Sequence, residues 1–221
     1  MKKTLLFLLL AVSSSPAAFA QARAGGATSS KDYTSSGTDS RNTGFGIKGG
    51  YSLSNFYGNG KDLIPGRDNL NTYHAGVYGQ FGLNNFSSVQ VELLYSRKGV
   101  RYDNGNNKTD LRLNYLSLPI LYVGNITDNI SFHLGPQLSL LTKVLNDGKD
   151  EDLKANGYNS LDLGAVAGLE ARIGPARVGA RYDLGLSRIL KDDVKYTGTT
   201  GDKSSLHNQT FQVYVGIGLT Q

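Results

Sequence analysis

The stretch LDLGAVAGLEARIGPARVGARYDLGL, Leu161 to Leu186, decides the fold. Every second residue from Leu161 is apolar: Leu161, Leu163, Ala165, Ala167, Leu169, Ala171 and Ile173. After Gly174-Pro175 the same beat resumes with Ala176, Val178, Ala180, Tyr182, Leu184 and Leu186. The interleaved residues are mostly charged or tiny: Asp162, Gly164, Val166, Gly168, Glu170 and Arg172, then Arg177, Gly179, Arg181, Asp183 and Gly185. Period two is the strand period, because successive side chains point to opposite faces. A Gly-Pro pair between two such runs is a turn. The stretch therefore reads as a hairpin in which Glu170 faces Gly179. Arg177 and Arg181 then lie diagonal to Glu170, within reach of long side chains.

The same alternation recurs outward from this hairpin. Apolar positions on one parity run over residues 45–53, 75–83, 89–95, 116–122, 130–140 and 211–219, which makes eight runs in all. The fourth is the least regular, since Tyr115 and Leu121 fall on its polar parity. A soluble sandwich or barrel turns such an apolar face inward, and a transmembrane barrel turns it to lipid. Three features favour the second. Connections after odd-numbered runs are long (54–74, 100–112, 142–160, 187–208), whereas those after even-numbered runs are short (84–88, 124–129, 174–175). Long loops thus gather at one end, as in outer-membrane barrels. Aromatics on the apolar parity form two groups: Phe45, Phe81, Tyr122 and Phe132 at the short-turn ends, and Tyr51, Tyr95, Tyr182 and Phe211 toward the long-loop ends. Two belts are expected where rings sit at both lipid–water interfaces. The polar parity carries Lys48, Lys98, Arg172, Arg177 and Arg181 against Glu92, Asp162, Glu170 and Asp183. An eight-stranded barrel has interior room only for side chains. Charges there must be paired, because an unpaired buried charge costs several kcal/mol. The expectation is an all-β, eight-stranded antiparallel up-and-down transmembrane β-barrel over 44–221. A charge-paired interior network of Lys48, Glu92, Glu170, Arg172, Arg177, Arg181 and Asp183 is expected, centred on Glu170, Arg177 and Arg181.

Composition agrees and excludes other classes. The 221 residues include 28 Gly, 13 Tyr and 8 Phe, with no Cys or Trp. Without cysteine there is no disulfide framework and no thiolate metal site. No apolar run reaches the ~18 residues of a spanning helix. The mean hydropathy of −0.29 is compatible with a barrel, whose alternate residues face a polar interior. Met1-Lys2-Lys3, the apolar Thr4–Val12, and Ala18-Phe19-Ala20 have the form of a secretory signal peptide over 1–20. Removing Lys2 and Lys3 takes the formal charge from +5 to +3. No clustered nucleic-acid footprint is left. Residues 21–43 are Ser/Thr/Gly-rich and read as a flexible periplasmic leader.

Several segments, in order, resemble a known family: GIKGGYSLSNF (46–56), QVELLYSRKG (90–99), LNYLSLPILYV (113–123), HLGPQLSL (133–140) and Leu161–Ile189. Together they are similar to the outer-membrane beta-barrel domain family, also labelled porin family or PorT-like. The resemblance implies an eight-stranded barrel in the outer membrane of a Gram-negative cell. It brings no catalytic residues and no cofactor. Implied partners are outer-membrane lipid, periplasmic chaperones and the barrel-insertion machinery. Such barrels usually end in an aromatic residue, whereas this chain ends Gly218-Leu219-Thr220-Gln221, so the resemblance implies an insertion signal that is either weaker or shifted to Tyr214.

Catalytic and metal chemistry find little support. His74, His133 and His207 share no metal-ligand spacing. The acidic stretch Asn146–Asp152 lacks the register of a calcium loop and reads as a solvated loop. A rim set of Ser187 or Ser205 with His74 or His207 can be drawn, but no motif supports it. The expected function is a non-enzymatic outer-membrane barrel, plugged inside, with four long outer loops for structural or surface-interaction roles. A narrow porin and a secreted soluble β-barrel that binds an apolar ligand are the alternatives.

Overall fold

A computed structural model describes residues 42–59, 66–103, 107–152, 157–190 and 205–219. These all fall within one compact unit, Gly37–Gln221. The proposed signal segment, the leader before Asn42 and the final Thr220-Gln221 lie outside the described residues.

Among the described residues nine strands form: β1 (Gly44–Tyr57), β2 (Leu70–Gly82), β3 (Ser87–Asp103), β4 (Lys108–Asn125), β5 (Ile130–Asn146), β6 (Lys149–Glu151), β7 (Leu161–Ile173), β8 (Ala176–Gly185) and β9 (His207–Gly218). Eight of them pair antiparallel in the circular order β4-β3-β2-β1-β9-β8-β7-β5, with β5 closing back on β4. The short β6 extends the free end of β5. Closure leaves no barrel edge unpaired, the requirement for a strand that crosses lipid. Outward positions include Ile47, Val77, Leu93, Leu118, Leu134, Leu163, Val178 and Val215, all exposed. An exposed apolar band on that scale is stable only against lipid or a partner.

The register read from the Gly174-Pro175 turn is the one found. Glu170 stands opposite Gly179, and Gly174 makes the turn with φ +60°. The inward-facing glycines give clearance: a Cβ on Gly179 would run into the Tyr214 ring.

Strand ends differ from the expected loops. The connection expected over 100–112 is mostly ladder, since β3 and β4 stay paired out to Asp103 and Lys108. Residues 54–57, 70–74 and 142–146 are also strand. The acidic stretch Asn146–Asp152 contains a tight hairpin between β5 and β6, turned at Asp147 and Gly148 with φ 52° and 78°. The physical reason is the same throughout. Beyond the apolar band the outward residues are polar, so hydrophobic parity ends while backbone pairing continues. Gly99 marks the passage on β3, with φ +146° and no room for a Cβ beside the Leu111 carbonyl. In the β4–β5 pair the register shifts between Asn114 and Tyr115, which leaves Thr142 of β5 as an extra residue that donates its hydroxyl to the Asn114 carbonyl at 2.9 Å.

Candidate functional site

Among the described residues, buried charged side chains converge in the lumen, and they are stratified there. Nearest the short-turn end is a layer of charges. Glu92 on β3 accepts from Lys48 Nζ on β1 at 2.7 Å and from Arg181 Nη1 on β8 at 2.7 Å. Gln90 Nε2 adds a third donor to Glu92 at 2.6 Å. Glu170 on β7 accepts from Arg177 Nη1 at 3.2 Å and from the Tyr214 hydroxyl on β9 at 3.0 Å. Lys48 Nζ sits 4.0 Å from Glu170 and 4.2 Å from the centre of the Tyr214 ring. Arg177 also donates to Gln80 at 2.5 Å, and Arg181 Nε to Gln212 at 2.6 Å. Each charge is thus paired and hydrogen-bonded, the condition under which buried ions are tolerated.

Three placements differ from the expected network. Arg181 meets Glu92 across the lumen, not its diagonal neighbour Glu170, so the centre of the layer lies on Glu92 as much as on Glu170. Arg172 is directed away from this layer, toward Asn42 at 3.3 Å and Asn125 at 3.4 Å at the short-turn end. Asp183 belongs to a second layer farther out, where Lys98 Nζ lies 2.8 Å from its carboxylate and 3.7 Å from that of Asp162.

Above both layers the lumen turns apolar. Phe56, Val100, Leu113, Tyr115, Leu141, Val144, Ile189 and Leu206 form one buried cluster, with Tyr102, Leu111, Tyr158 and Leu190 against it. Ile189 and Leu206 come from the segments flanking the β8–β9 connection, joined by an Ile189 N–H to Leu206 carbonyl bond of 2.8 Å. Sequence reading missed this cap. Its signal was faint: Phe56, Val100, Leu113 and Val144 lie where the alternation of the lipid band gives out.

Asn42, assigned to the flexible leader, is fully buried. Its side-chain amide donates to the carbonyls of Asn84 and Asn85 at 3.0 Å each and accepts from Asn125 at 2.9 Å. Asn42 is therefore packed into the short-turn end of the barrel, where its side chain ties together backbone groups of the β2–β3 turn.

The eight aromatics Phe45, Tyr51, Phe81, Tyr95, Tyr122, Phe132, Tyr182 and Phe211 all point outward and are exposed. Tyr122 and Phe132 approach to 5.8 Å between ring centres. Tyr73 and Phe86 join the exposed aromatics. Tyr73, 6.2 Å from Tyr95 and under the Arg97 guanidinium, lies on the parity of the second run, one step before its expected start.

The histidines are structural contacts. His74 Nδ1 lies 2.9 Å from Ser52 Oγ, and His133 Nε2 lies 3.2 Å from Ser131 Oγ. His207 Nδ1 donates to the Ser187 main-chain carbonyl at 2.9 Å, while the Ser187 hydroxyl accepts from Leu163 N–H at 3.0 Å. The drawn His207–Ser187 set is therefore not a hydroxyl–imidazole pair. Among the described residues no three of His, Cys, Asp or Glu are grouped to hold a metal ion.

Outside the apolar band, the β3–β4 ribbon carries Asp110 between Arg101 Nε at 2.7 Å and Arg112 Nη2 at 2.9 Å. Hydrogen bonding from Arg101 holds the Asp110 carboxyl below its ordinary range. These residues, with Lys108, Asp147 and Gly148, line a shallow cleft of about 400 Å³.

Residues 19–191 match the family profile described as "Outer membrane protein beta-barrel domain". Comparison with curated proteins gives no match. Among solved structures, the chain is similar to Ail, the attachment invasion locus protein of Yersinia pestis. Identity is 17%, with 80% of this chain and 99% of that chain covered and a TM-score of 0.47. It is also similar to Neisserial surface protein A, at 16% identity over 78% of this chain and 96% of that chain, TM-score 0.47.

Proposed function

The chain belongs to the outer-membrane β-barrel domain family, and from that premise we propose that it is a plugged, non-enzymatic barrel of the Gram-negative outer membrane. One observation carries this reading: the lumen is filled at every level described, by paired charges within and by the apolar cluster at the outer mouth. The lumen-facing side chains at both levels are almost wholly buried, which weighs against a narrow porin. The apolar band faces outward, which weighs against a soluble barrel with an apolar ligand inside. The eight outward aromatics seat the barrel at the two lipid interfaces. Residues 1–20 direct export and are removed. Chaperones and the insertion machinery deliver the chain to lipid. Contacts with the exterior fall to the outer connections, above all the β3–β4 ribbon, which stands beyond the lipid band with Arg101, Lys108 and Arg112 on its surface.

Planar-bilayer recording tests the plug. The refolded barrel is expected to give no steady conductance steps, and reproducible steps in a pure sample would establish a pore instead. Gel mobility tests membrane insertion. The folded protein should run at a different position before and after boiling in SDS, and a single heat-independent band from folded protein would favour the soluble barrel.

A further inference from the structure

The last apolar row of the lipid band on β3, β4 and β5 is Tyr95, Leu116 and Leu140, paired in register and 38%, 43% and 41% exposed. One step outward on the same strands, the paired row is Arg97, Asn114 and Lys143. Two residues along a strand span ~7 Å, so this row stands at the level of lipid headgroups. By alternation Lys143 would face the lumen, because Leu141 before it does. The extra residue Thr142 turns it outward: Leu141 pairs with Tyr115, whereas Lys143 pairs with Asn114. Bulges re-aim side chains in this way beside functional sites. On β1 and β9, toward the far wall, the pair beyond the band is Asn55 and Gln209, both uncharged.

Arg97 is held ready for a planar anion. Its Nε donates to Asn114 Oδ1 at 3.0 Å, and its guanidinium carbon lies 5.0 Å from the centre of the exposed Tyr73 ring. Among the described residues no carboxylate pairs with it. Lys143 Nζ is 2.9 Å from Asp150 Oδ1, but the two side chains are 48% and 68% exposed, so the pair contributes little and exchanges readily. Farther out, Arg112 shares Asp110 with Arg101, two cations on one carboxylate. Over these rows four cations, Arg97, Lys143, Arg112 and Arg101, stand against Asp110 and Asp150. The excess is two positive charges, on one side of the barrel.

A guanidinium fork and an ammonium both match phosphate oxygens. Neighbouring strands lie ~4.8 Å apart, so Arg97 and Lys143, two strands apart, can close on one phosphate over Asn114. A phosphate monoester carries ~2 negative charges at neutral pH, which the excess balances. We propose that Arg97 and Lys143, with Arg112 beyond them, bind the phosphate monoester of a lipid headgroup in the leaflet at the long-connection end. Continuity with the lipid band selects the source, since the site begins one step beyond Tyr95. The proposal rests on the barrel standing in a membrane, not on its lumen being plugged.

The test is lipid retention by the refolded full-length protein. It is taken into neutral detergent from phosphatidylcholine vesicles that hold a minor fraction of phosphatidate or of phosphatidylglycerol, and is weighed by native mass spectrometry. Phosphatidate should be retained about tenfold over phosphatidylglycerol. Combining Arg97→Gln with Lys143→Gln should bring it down to the phosphatidylglycerol level, with the heat-dependent shift in gel mobility unchanged. Millimolar inorganic phosphate should not displace it. Equal retention of the two lipids, or selectivity that survives the double variant, overturns the proposal. Displacement by inorganic phosphate assigns the site to a soluble phosphate and overturns its lipid source. A protein that stays out of the vesicles, with heat-independent mobility, overturns the membrane reading and this proposal with it. An inserted barrel without lipid selectivity overturns the proposal alone.

Discussion

The inner layer of the lumen holds Lys48, Glu92, Glu170, Arg177 and Arg181, whereas the outer mouth, in the same tube, holds Phe56, Val100, Leu113, Leu141 and Val144. Both exclude water, by different physics. The charged layer depends on directed bonds between strands on opposite walls, so removing one member leaves others buried and unpaired. The apolar cap depends on non-directional contact, so its loss is graded with the volume removed. A tube closed in both ways has a rigid, specific middle and a more forgiving lid.

The largest effect should come from the middle. Glu92→Gln leaves Lys48 and Arg181 without their shared carboxylate, a loss of about 3–5 kcal/mol by analogy with broken buried pairs. Urea unfolding in vesicles measures it. Glu170→Gln should also lower the thermal midpoint, but less, because Glu170 has only Arg177 as a cation at hydrogen-bond distance, with Lys48 4.0 Å away and Tyr214 as a neutral donor. Equal effects from the two would place the centre of the layer elsewhere. An unchanged midpoint in Glu170→Gln would remove Glu170 from the plug.

In the cap, Leu113→Ala should cost about 2–4 kcal/mol through lost burial and a residual cavity. It should leave the barrel closed to ions in planar bilayers, because the charged layers beneath are untouched. Conductance in Leu113→Ala would show that the cap alone is the seal. Next comes Asn42→Ala, which orphans the Asn84 carbonyl and leaves that of Asn85 to Asn125 alone and should cost about 1–2 kcal/mol, with faster proteolysis of the β2–β3 turn as a second readout.

The smallest effect is outside the membrane. Asp110 has its carboxyl lowered by Arg101. The stabilisation it gives the ribbon is therefore present above the ordinary carboxylate range and lost as pH falls through its lowered value. Hydrogen exchange at residues 108–112 should quicken in acid. In Asp110→Asn that exchange should be fast at all pH. A pH-independent ribbon in the unaltered protein would detach its order from Asp110.

The β7–β8 hairpin was legible to the residue in the sequence, since parity and a Gly-Pro turn together fix both face and register. So were the lipid-facing parts of the other strands. Their outer ends were not, because residues 97–103 and 108–114 keep their pairing after the outward side chains turn polar. Partners along one hairpin could be read, as with Arg177 and Glu170. Arg181 and Glu92 are 89 positions apart and meet only because the sheet closes, which local pattern does not encode. Asn42 was lost for another reason: a polar residue in a polar stretch gives no sign that its amide has four backbone and side-chain partners. The cap was lost because most of its apolar residues are on the parity that elsewhere is polar, while Val144 turns inward only through the extra residue Thr142 on β5.

The seam between β1 and β9 has a consequence for how the molecule is made. It joins Gly46 to Gly218 at one end and Tyr57 to His207 at the other, so its partners are separated by nearly the whole barrel sequence. Contacts of such range form late, after the entropy of ordering everything between them has been met. Until β9 docks, β1 and β8 each expose a row of open amides that hydrocarbon does not solvate. Insertion is then gated by the last strand: the sheet can assemble along the chain in sequence, but it becomes a membrane protein in one final step.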